Sequence, residues 1–181
     1  DWSSDVCSSD LELIPDRATL QMGLGAMPEA LCAYLSHHAG LGIHSGMLGD
    51  GYVDLMEHGV VTNAFKEVNA GVSVTGVLIG TRKLYQHVHR QPTVCLHDAD
   101  ITHGAASLAR FKRFHSVNSA LEVDLTGQVN AEAIGRDFLG TIGGRWTMCV
   151  LPPSLKAAAR SLPYPAPPDR PVASLRVLMG R

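Results

Sequence analysis

Apolar residues along this chain fall into short runs that glycines and polar turns separate, which predicts alternating strands and helices. Strand-like runs occupy residues 18–22, 41–48, 71–81, 93–102 and 115–130. Helix-like spacing covers residues 26–38, 51–61, 82–91 and 104–114. Strands that alternate with short helices favour an α/β fold with a mostly parallel sheet flanked by helices.

Local signals set the ends of several predicted helices. Pro28 and Glu29 suit a first helical turn, where a missing N–H is tolerated and negative charge is favoured. Gly59 suits the end of the second helix, and Pro92 requires the third helix to end before it.

Composition limits the class of protein. The 181 residues are 45% hydrophobic and 18% charged with a formal net charge of −2, which fits one globular domain and predicts no nucleic-acid partner. No apolar run is long enough to cross a bilayer, so no membrane partner is expected. Between residues 12 and 144 the cysteines are Cys32 and Cys95, without a CxxC motif, and this predicts a reduced, cytoplasmic setting.

Both ends differ in composition from the middle. Residues 1–11, DWSSDVCSSDL, look like a translated sequencing adapter, so we expect them to lie outside the fold and the sequence to be a metagenomic fragment. Seven of the ten prolines follow Gly144, namely Pro152, Pro153, Pro163, Pro165, Pro167, Pro168 and Pro171. We expect residues 145–181 to be an out-of-frame tail, and the alternative is a natural proline-rich tail.

The stretch GLGAMPEAL places Gly23 and Gly25 between a predicted strand and a helix N-terminus. Such glycines let the backbone approach a phosphate, and the free amides and the helix dipole favour negative charge. A turn that is glycine-rich for steric reasons alone remains the alternative. The Lys and Ser/Thr of a Walker loop are absent from this stretch.

Longer motifs follow in a fixed order: IPDRATLQMGLGAMPEAL, LGIHSGMLGDGYVDLMEHGVVTN, NSALEVDLTGQVNAE and GTIGG. Together they resemble the C-terminal domain of the acetyl-CoA hydrolase/transferase family, which includes acetate and 4-hydroxybutyrate CoA-transferases. The resemblance covers residues 12–144 and implies a CoA-transferase-like α/β domain. Read one base earlier, residues 145–156 permit Val-Asp-Tyr-Val-Arg-Ala-Ala-Ser, which is similar to the family's continuation and supports the out-of-frame tail.

The resemblance implies a CoA-transferase or acyl-CoA hydrolase of acetate metabolism, acting on acetyl-CoA and similar short-chain acyl-CoA thioesters. Coenzyme A would serve as substrate, with no metal ion. Implied partners are acyl-CoA, short carboxylic acids and an N-terminal domain that this sequence lacks, and a homo-oligomer is left open. A carboxylate nucleophile in this family carries CoA as an enzyme thioester, which divides one difficult step into easier ones.

The resemblance also implies site residues. Those that match CoA-binding positions of the family are Gly23, Leu24, Gly25, Ala26, Met27, Asn118, Thr141, Gly143 and Gly144. Thr141 stands where the family usually has glycine. His44 and Ser45 are expected to orient substrate, and Gly46 occupies the position of the family's nucleophilic glutamate.

Gly46 leaves three explanations open, because glycine has no side chain to form the covalent intermediate. The first is that a one-base error changed a glutamate codon to a glycine codon. The second is that a natural branch of the family uses water or another group. The third is that the protein binds CoA without turnover. A non-catalytic CoA-binding fragment is therefore the alternative function, and a structural fragment unable to fold alone is a third.

Other polar groups have simpler interpretations. His97, Asp98, Asp100 and His103 cluster on a predicted loop, but their spacing matches no metal motif. Glu122 and Asp124 are expected to cap or pair within a strand.

Overall fold

The computed structural model describes residues 14–23, 26–120, 122–123, 128–134, 136–138, 160–163 and 175–180. In these residues the helices are α1 (Ala26–Tyr34), α2 (Asp50–Glu57), α3 (Arg82–Val88), α4 (Ala99–Thr102) and α5 (Ala105–Leu108), with a 3₁₀ turn at Leu35–His37. The strands are β1 (Thr19–Met22), β2 (Gly42–Leu48), β3 (Ser73–Leu78), β4 (Val94–Leu96), β5 (Phe114–Ala120), β6 (Glu122–Val123), β7 (Val129–Asn130), β8 (Ala133–Ile134), β9 (Asp137–Phe138), β10 (Arg160–Pro163) and β11 (Leu175–Gly180).

Seven strands form one sheet in the order β10-β11-β5-β1-β2-β3-β4. The five strands from β5 to β4 pair in parallel, whereas β11 is antiparallel to β5 and to β10. A parallel sheet needs helical crossovers that cover its faces. The expected α/β fold with a mostly parallel sheet flanked by helices is confirmed.

The main core lies between the sheet and helices α1, α2 and α3. Leu20 and Ile43 are paired across β1 and β2, and both are fully buried. Burying each such side chain contributes about 1.5–3 kcal/mol. A smaller cluster of Leu108, Phe111 and Phe114 lies by α5 and the start of β5.

Two close contacts hold the helices together at one end of the sheet. A Cβ on Gly51 would lie 2.9 Å from Cys32 Sγ, so this glycine lets α2 approach α1 closely. Burial raises the pKa of Cys32 to about 12, and the thiol stays protonated. Asp50 joins α2 to α3, because its carboxylate accepts hydrogen bonds from Thr81 N (2.8 Å) and Leu84 N (3.2 Å).

The helix ends predicted from Gly59 and Pro92 are confirmed. The helix predicted at residues 104–114 is shorter, covering Ala105–Leu108, and one predicted strand is partly helical. Helix α2 ends before Gly59, whose φ of 72° suits glycine, and α3 ends before Pro92. Residues 93–102 were expected to be extended, yet the strand ends at Leu96 and α4 begins at Ala99. The Asp98 side chain accepts a hydrogen bond from Ile101 N and caps this short helix.

Candidate functional site

A row of residues without large side chains crosses the sheet near the carboxyl ends of its parallel strands. Continuing the β1–β2 register from Leu20↔Ile43 places Gly23 beside Gly46. Gly46 lies opposite Gly76 of β3, because the pairs Ser45↔Thr75 and Met47↔Val77 flank them. Asn118 of β5 follows Val117, the partner of Met22, and so lies beside Gly23.

We call Asn118, Gly23, Gly46 and Gly76 the glycine row. All four residues are half-buried, so the row reaches solvent. Neighbouring strands lie about 4.8 Å apart, which gives the row a length of roughly 14 Å. At Gly23 a Cβ would meet only Asn118 Oδ1, at 3.8 Å, so a ligand can approach the backbone closely there. The space beside Gly46 holds the His103 ring, and the space beside Gly76 holds Gly46 O and Thr102 Oγ1.

A polar network fixes the Asn118 end of the row. Asn118 Nδ2 donates hydrogen bonds to Gln21 Oε1 (3.1 Å) and to Ser116 Oγ (2.8 Å). Ser116 Oγ donates to Gln21 Oε1, and Gln21 Nε2 lies 3.4 Å from Asn118 Oδ1. Gln21 and Ser116 are buried. The network holds the Asn118 amide in one orientation, with Oδ1 3.8 Å from where a Gly23 Cβ would lie.

His44 lies two residues before Gly46 on β2, on the same face of the sheet, and is not a member of the row. Its side chain is buried, its ring centroid lies 4.7 Å from that of Phe111, and its Nε2 donates to Ile101 O at 3.1 Å. Burial and then the charge of Lys66 lower the pKa of His44 to about 4, so the ring is neutral at neutral pH. His44 therefore fixes α4 against β2.

Ser45 is also buried, and its hydroxyl donates to Met22 O at 3.3 Å. This bond joins β2 to β1 one residue before Gly46 and Gly23. Direct substrate orientation by His44 or Ser45 stays a prediction, and the contacts described give both side chains a structural role.

His103 lies over Gly46, which stands between Gly23 and Gly76 in the row. A Cβ on Gly46 would overlap the Cε1 and Nε2 atoms of the His103 ring and lie 3.6 Å from Nδ1. Thr102 Oγ1 lies 2.8 Å from His103 Nδ1 and donates to Asp98 O at 3.1 Å. Burial lowers the pKa of His103, which is half-buried. The ring therefore fills the space that a side chain at position 46 needs.

This fit makes a testable prediction about stability. Gly46→Ala should lower the free energy of unfolding by about 2 kcal/mol, because the added methyl group overpacks the His103 ring. In a His103→Ala background most of this loss should disappear. The coupling free energy between the two substitutions, measured by urea unfolding, should be about 1–2 kcal/mol.

Gly76→Ala is the matched control for that coupling. A Cβ there would lie 2.9 Å from Gly46 O, a backbone atom, so His103→Ala should give no rescue. Additive effects of Gly46→Ala and His103→Ala would contradict the contact between the two residues.

Gly76 was not predicted to belong to the site, and His103 was noted only as part of the His97, Asp98, Asp100 and His103 cluster, to which no function was assigned. A glycine inside an apolar strand run is a signal of close backbone approach, and Gly76 carried it. Of the other members of the cluster, Asp98 caps α4. The His97 backbone lies next to Gly76, and its Nε2 lies 3.5 Å from Cys95 Sγ. Within the described ranges no group of three His, Cys, Asp or Glu is placed to hold a metal ion.

Several expected site positions cannot be compared with the row. Leu24, Gly25, Thr141, Gly143 and Gly144 lie outside the described residues, as does the proposed adapter at 1–11. Ala26 and Met27 begin α1. Asn118, Gly23 and Gly46 are brought together in the row. Among the helices that the structure describes, none is long and apolar enough to span a membrane.

Comparisons with known proteins agree with this fold. Residues 80–151 match the model of the acetyl-CoA hydrolase/transferase C-terminal domain. The 4-hydroxybutyrate coenzyme A transferase of Clostridium kluyveri is 39% identical over 133 residues, which cover 74% of this chain and 31% of that protein.

Two solved structures share the architecture. RipA from Yersinia pestis is 35% identical with a TM-score of 0.69, covering 71% of this chain and 30% of RipA. The 4-hydroxybutyrate CoA-transferase of Porphyromonas gingivalis is 31% identical with a TM-score of 0.67, covering 68% and 32%. The chain spans about a third of each of these relatives. It has the CoA-transferase fold, and its residues 80–151 are similar to the C-terminal domain of the acetyl-CoA hydrolase/transferase family.

Proposed function

We propose that the chain binds the CoA part of an acyl-CoA thioester along the glycine row. The activity that fits this site best is CoA transfer or acyl-CoA hydrolysis, with acetyl-CoA and similar short-chain acyl-CoA thioesters as substrates. The observation that carries the proposal is three glycines and Asn118 side by side on four neighbouring strands.

Gly23 is the most informative member of the row. A Cβ at this position would meet only Asn118 Oδ1 at 3.8 Å, an ordinary contact, and its φ lies outside the range that favours glycine. Among its described neighbours, nothing in packing or backbone geometry requires a glycine here. Close approach of a ligand does require one.

The polar groups of the row suit the chemistry of a thioester. Both hydrogens of the Asn118 amide are used within the network, so its Oδ1 is the atom that can accept a hydrogen bond from an amide of the pantetheine arm. The Gly23 N–H already donates to Val117 O at 3.1 Å, so this glycine offers close approach to its backbone rather than a free amide. The carboxyl ends of parallel strands are also where α/β folds bind ligands.

The test compares two glycine substitutions by calorimetric titration with CoA and by urea unfolding. Gly23→Ala should weaken CoA binding at least about tenfold, a loss of about 1.4 kcal/mol, and leave the stability unchanged. Gly71→Ala is the matched control: a Cβ there has open space, but its φ of 78° strains alanine. That variant should lose about 1–2 kcal/mol of stability and bind CoA normally.

Two results would contradict the proposal. One is no CoA binding by the wild-type chain under conditions where urea unfolding shows that it is folded. The other is equal CoA affinity of wild type and Gly23→Ala.

A non-catalytic CoA-binding protein is the second candidate, and Gly46 is the observation that favours it. Gly46→Glu should restore CoA transfer to a carboxylic acid if only the nucleophile is missing. The overlap with His103 means that this variant needs His103→Ala as well. Short carboxylic acids and an N-terminal domain are the further partners that we propose.

The organisation of the chain is also a proposal. We propose that residues 12–144 form a C-terminal domain and that residues 145–181 are read out of frame. Within the latter range the structure describes strands β10 and β11, which continue the sheet beyond β5. Independent DNA reads with an intact frame across Gly144 would overturn this proposal.

A further inference from the structure

His103 and Gly46 form a complementary pair within the glycine row. The His103 ring edge that carries Cε1 and Nε2 faces Gly46, and both residues are half-buried. A nitrogen of the ring thus lies against Gly46, the residue whose place a reactive glutamate takes in the family resemblance, and overlaps the space of its Cβ. We propose that His103 is a general base that activates water against an acyl-CoA thioester bound along the row, so that this chain is a hydrolase. The inference rests on the proposed CoA site.

The hydrogen bonds of Thr102 select the reactive nitrogen. The Thr102 hydroxyl has one hydrogen and donates it to Asp98 O, and the same oxygen accepts from His103 Nδ1–H at 2.8 Å. The lone pair is then on Nε2, the nitrogen that faces Gly46. Thr102 is fully buried, which makes it a rigid support for the ring. Thr102 is the positioning residue and His103 the catalytic one.

The reaction balances with water as the only co-reactant. Nε2 takes a proton from water as the oxygen attacks the thioester carbonyl, and the C–S bond breaks as the tetrahedral oxyanion collapses. The CoA thiolate leaves and takes the proton from the His103 imidazolium. The products are a carboxylic acid and CoA. Gly46 leaves room for the ring, because any Cβ at this position would displace it.

Burial lowers the pKa of His103, and several titratable groups lie on the elements around the ring. His44 of β2 is neutral above about pH 4, and burial lowers the pKa of Lys66 to about 8. His97 follows β4, and Asp98 and Asp100 belong to the α4 segment. Because burial lowers the pKa of His103, the hydrolysis rate should fall on the acid side only below about pH 6.5.

The kinetic test measures CoA thiol release from acetyl-CoA by the 181-residue chain between pH 5 and 8, beside calorimetric CoA binding. His103→Gln should lower kcat about 100-fold or more and leave the CoA affinity unchanged. Thr102→Val should lower kcat about tenfold, and Thr102→Ser should restore the rate that the valine loses. His89→Gln, which changes an exposed histidine after α3, is the control and should keep the wild-type rate.

A spectroscopic readout separates this role from a merely structural one. The ¹⁵N shifts of the His103 ring at pH 7.5 should show the proton on Nδ1, and Thr102→Val should change that distribution. Three results would overturn the inference and leave the proposed CoA site intact. They are a proton on Nε2, a wild-type kcat in His103→Gln, and CoA binding without thiol release. Absence of CoA binding would overturn both.

Discussion

Replacing Asn63 by alanine is expected to lower the free energy of unfolding by about 4 kcal/mol, the largest effect of a single substitution that we predict. Asn63 is buried, its Oδ1 accepts from Ile43 N at 2.8 Å, and its Nδ2 donates to Ser73 Oγ at 2.9 Å. Its φ of 57° lies in the left-handed region. Alanine would leave a buried N–H unpaired and would also strain the backbone.

Glycine at the same position separates the two contributions. Asn63→Gly keeps the left-handed backbone and loses only the side-chain bonds, so about 2 kcal/mol should be lost. Asn69 has a φ of 54° but is exposed, which makes it a matched control. Asn69→Ala should cost about 1 kcal/mol and Asn69→Gly almost nothing in urea unfolding. Equal losses for Asn63→Ala and Asn69→Ala would contradict the bridging role of Asn63.

Acidification from pH 6.5 to 4 is expected to remove about 3 kcal/mol of stability through His44 alone. The folded pKa is about 4, lowered by burial and by the charge of Lys66, against 6.5 in the unfolded chain. Between these values the unfolded chain binds the extra proton. Stability from the neutral ring is therefore complete above pH 6.5, falls as the pH falls, and levels off below 4.

The pH slope, not the absolute stability, identifies His44. Urea unfolding of His44→Gln at several pH values should show a stability that falls about 3 kcal/mol less between pH 6.5 and 4 than in the wild type. His89→Gln removes an exposed histidine and should retain the wild-type slope. An unchanged slope in His44→Gln would show that this ring is not held neutral in the folded protein.

The strands that build the site were predictable because their signals are local. Residues 18–22, 41–48 and 71–81 combine apolar runs with flanking glycines, and they contain β1, β2 and β3. Helix α2 ends before Gly59 as predicted, because the left-handed conformation that ends a helix depends only on a few neighbouring residues. The family resemblance, based on the order of the motifs, identified Gly23, Gly46 and Asn118 as site positions.

The contact between these positions depends on sheet register, which the sequence pattern does not contain. Gly76 joined the site only because β3 pairs with β2 at Gly46. His103 lies over Gly46 because it follows α4 directly. This helix was missed because the segment was predicted to be extended and Asp98 was not identified as its N-cap. The motif placed His44 near the substrate, and that role stays a prediction. Its contact with the Phe111 ring depends on the tertiary structure and is not contained in the motif.

The most direct test of a CoA site on the glycine row is a CoA titration of the ¹⁵N-labelled chain followed by NMR. The largest saturable chemical-shift changes should fall on the Gly23, Gly46 and Gly76 amides and on the Asn118 side-chain amide. The amide shifts of Gly59 and Gly71 should stay unchanged. Saturable binding that leaves the row unperturbed, or no binding by the folded chain, would contradict it.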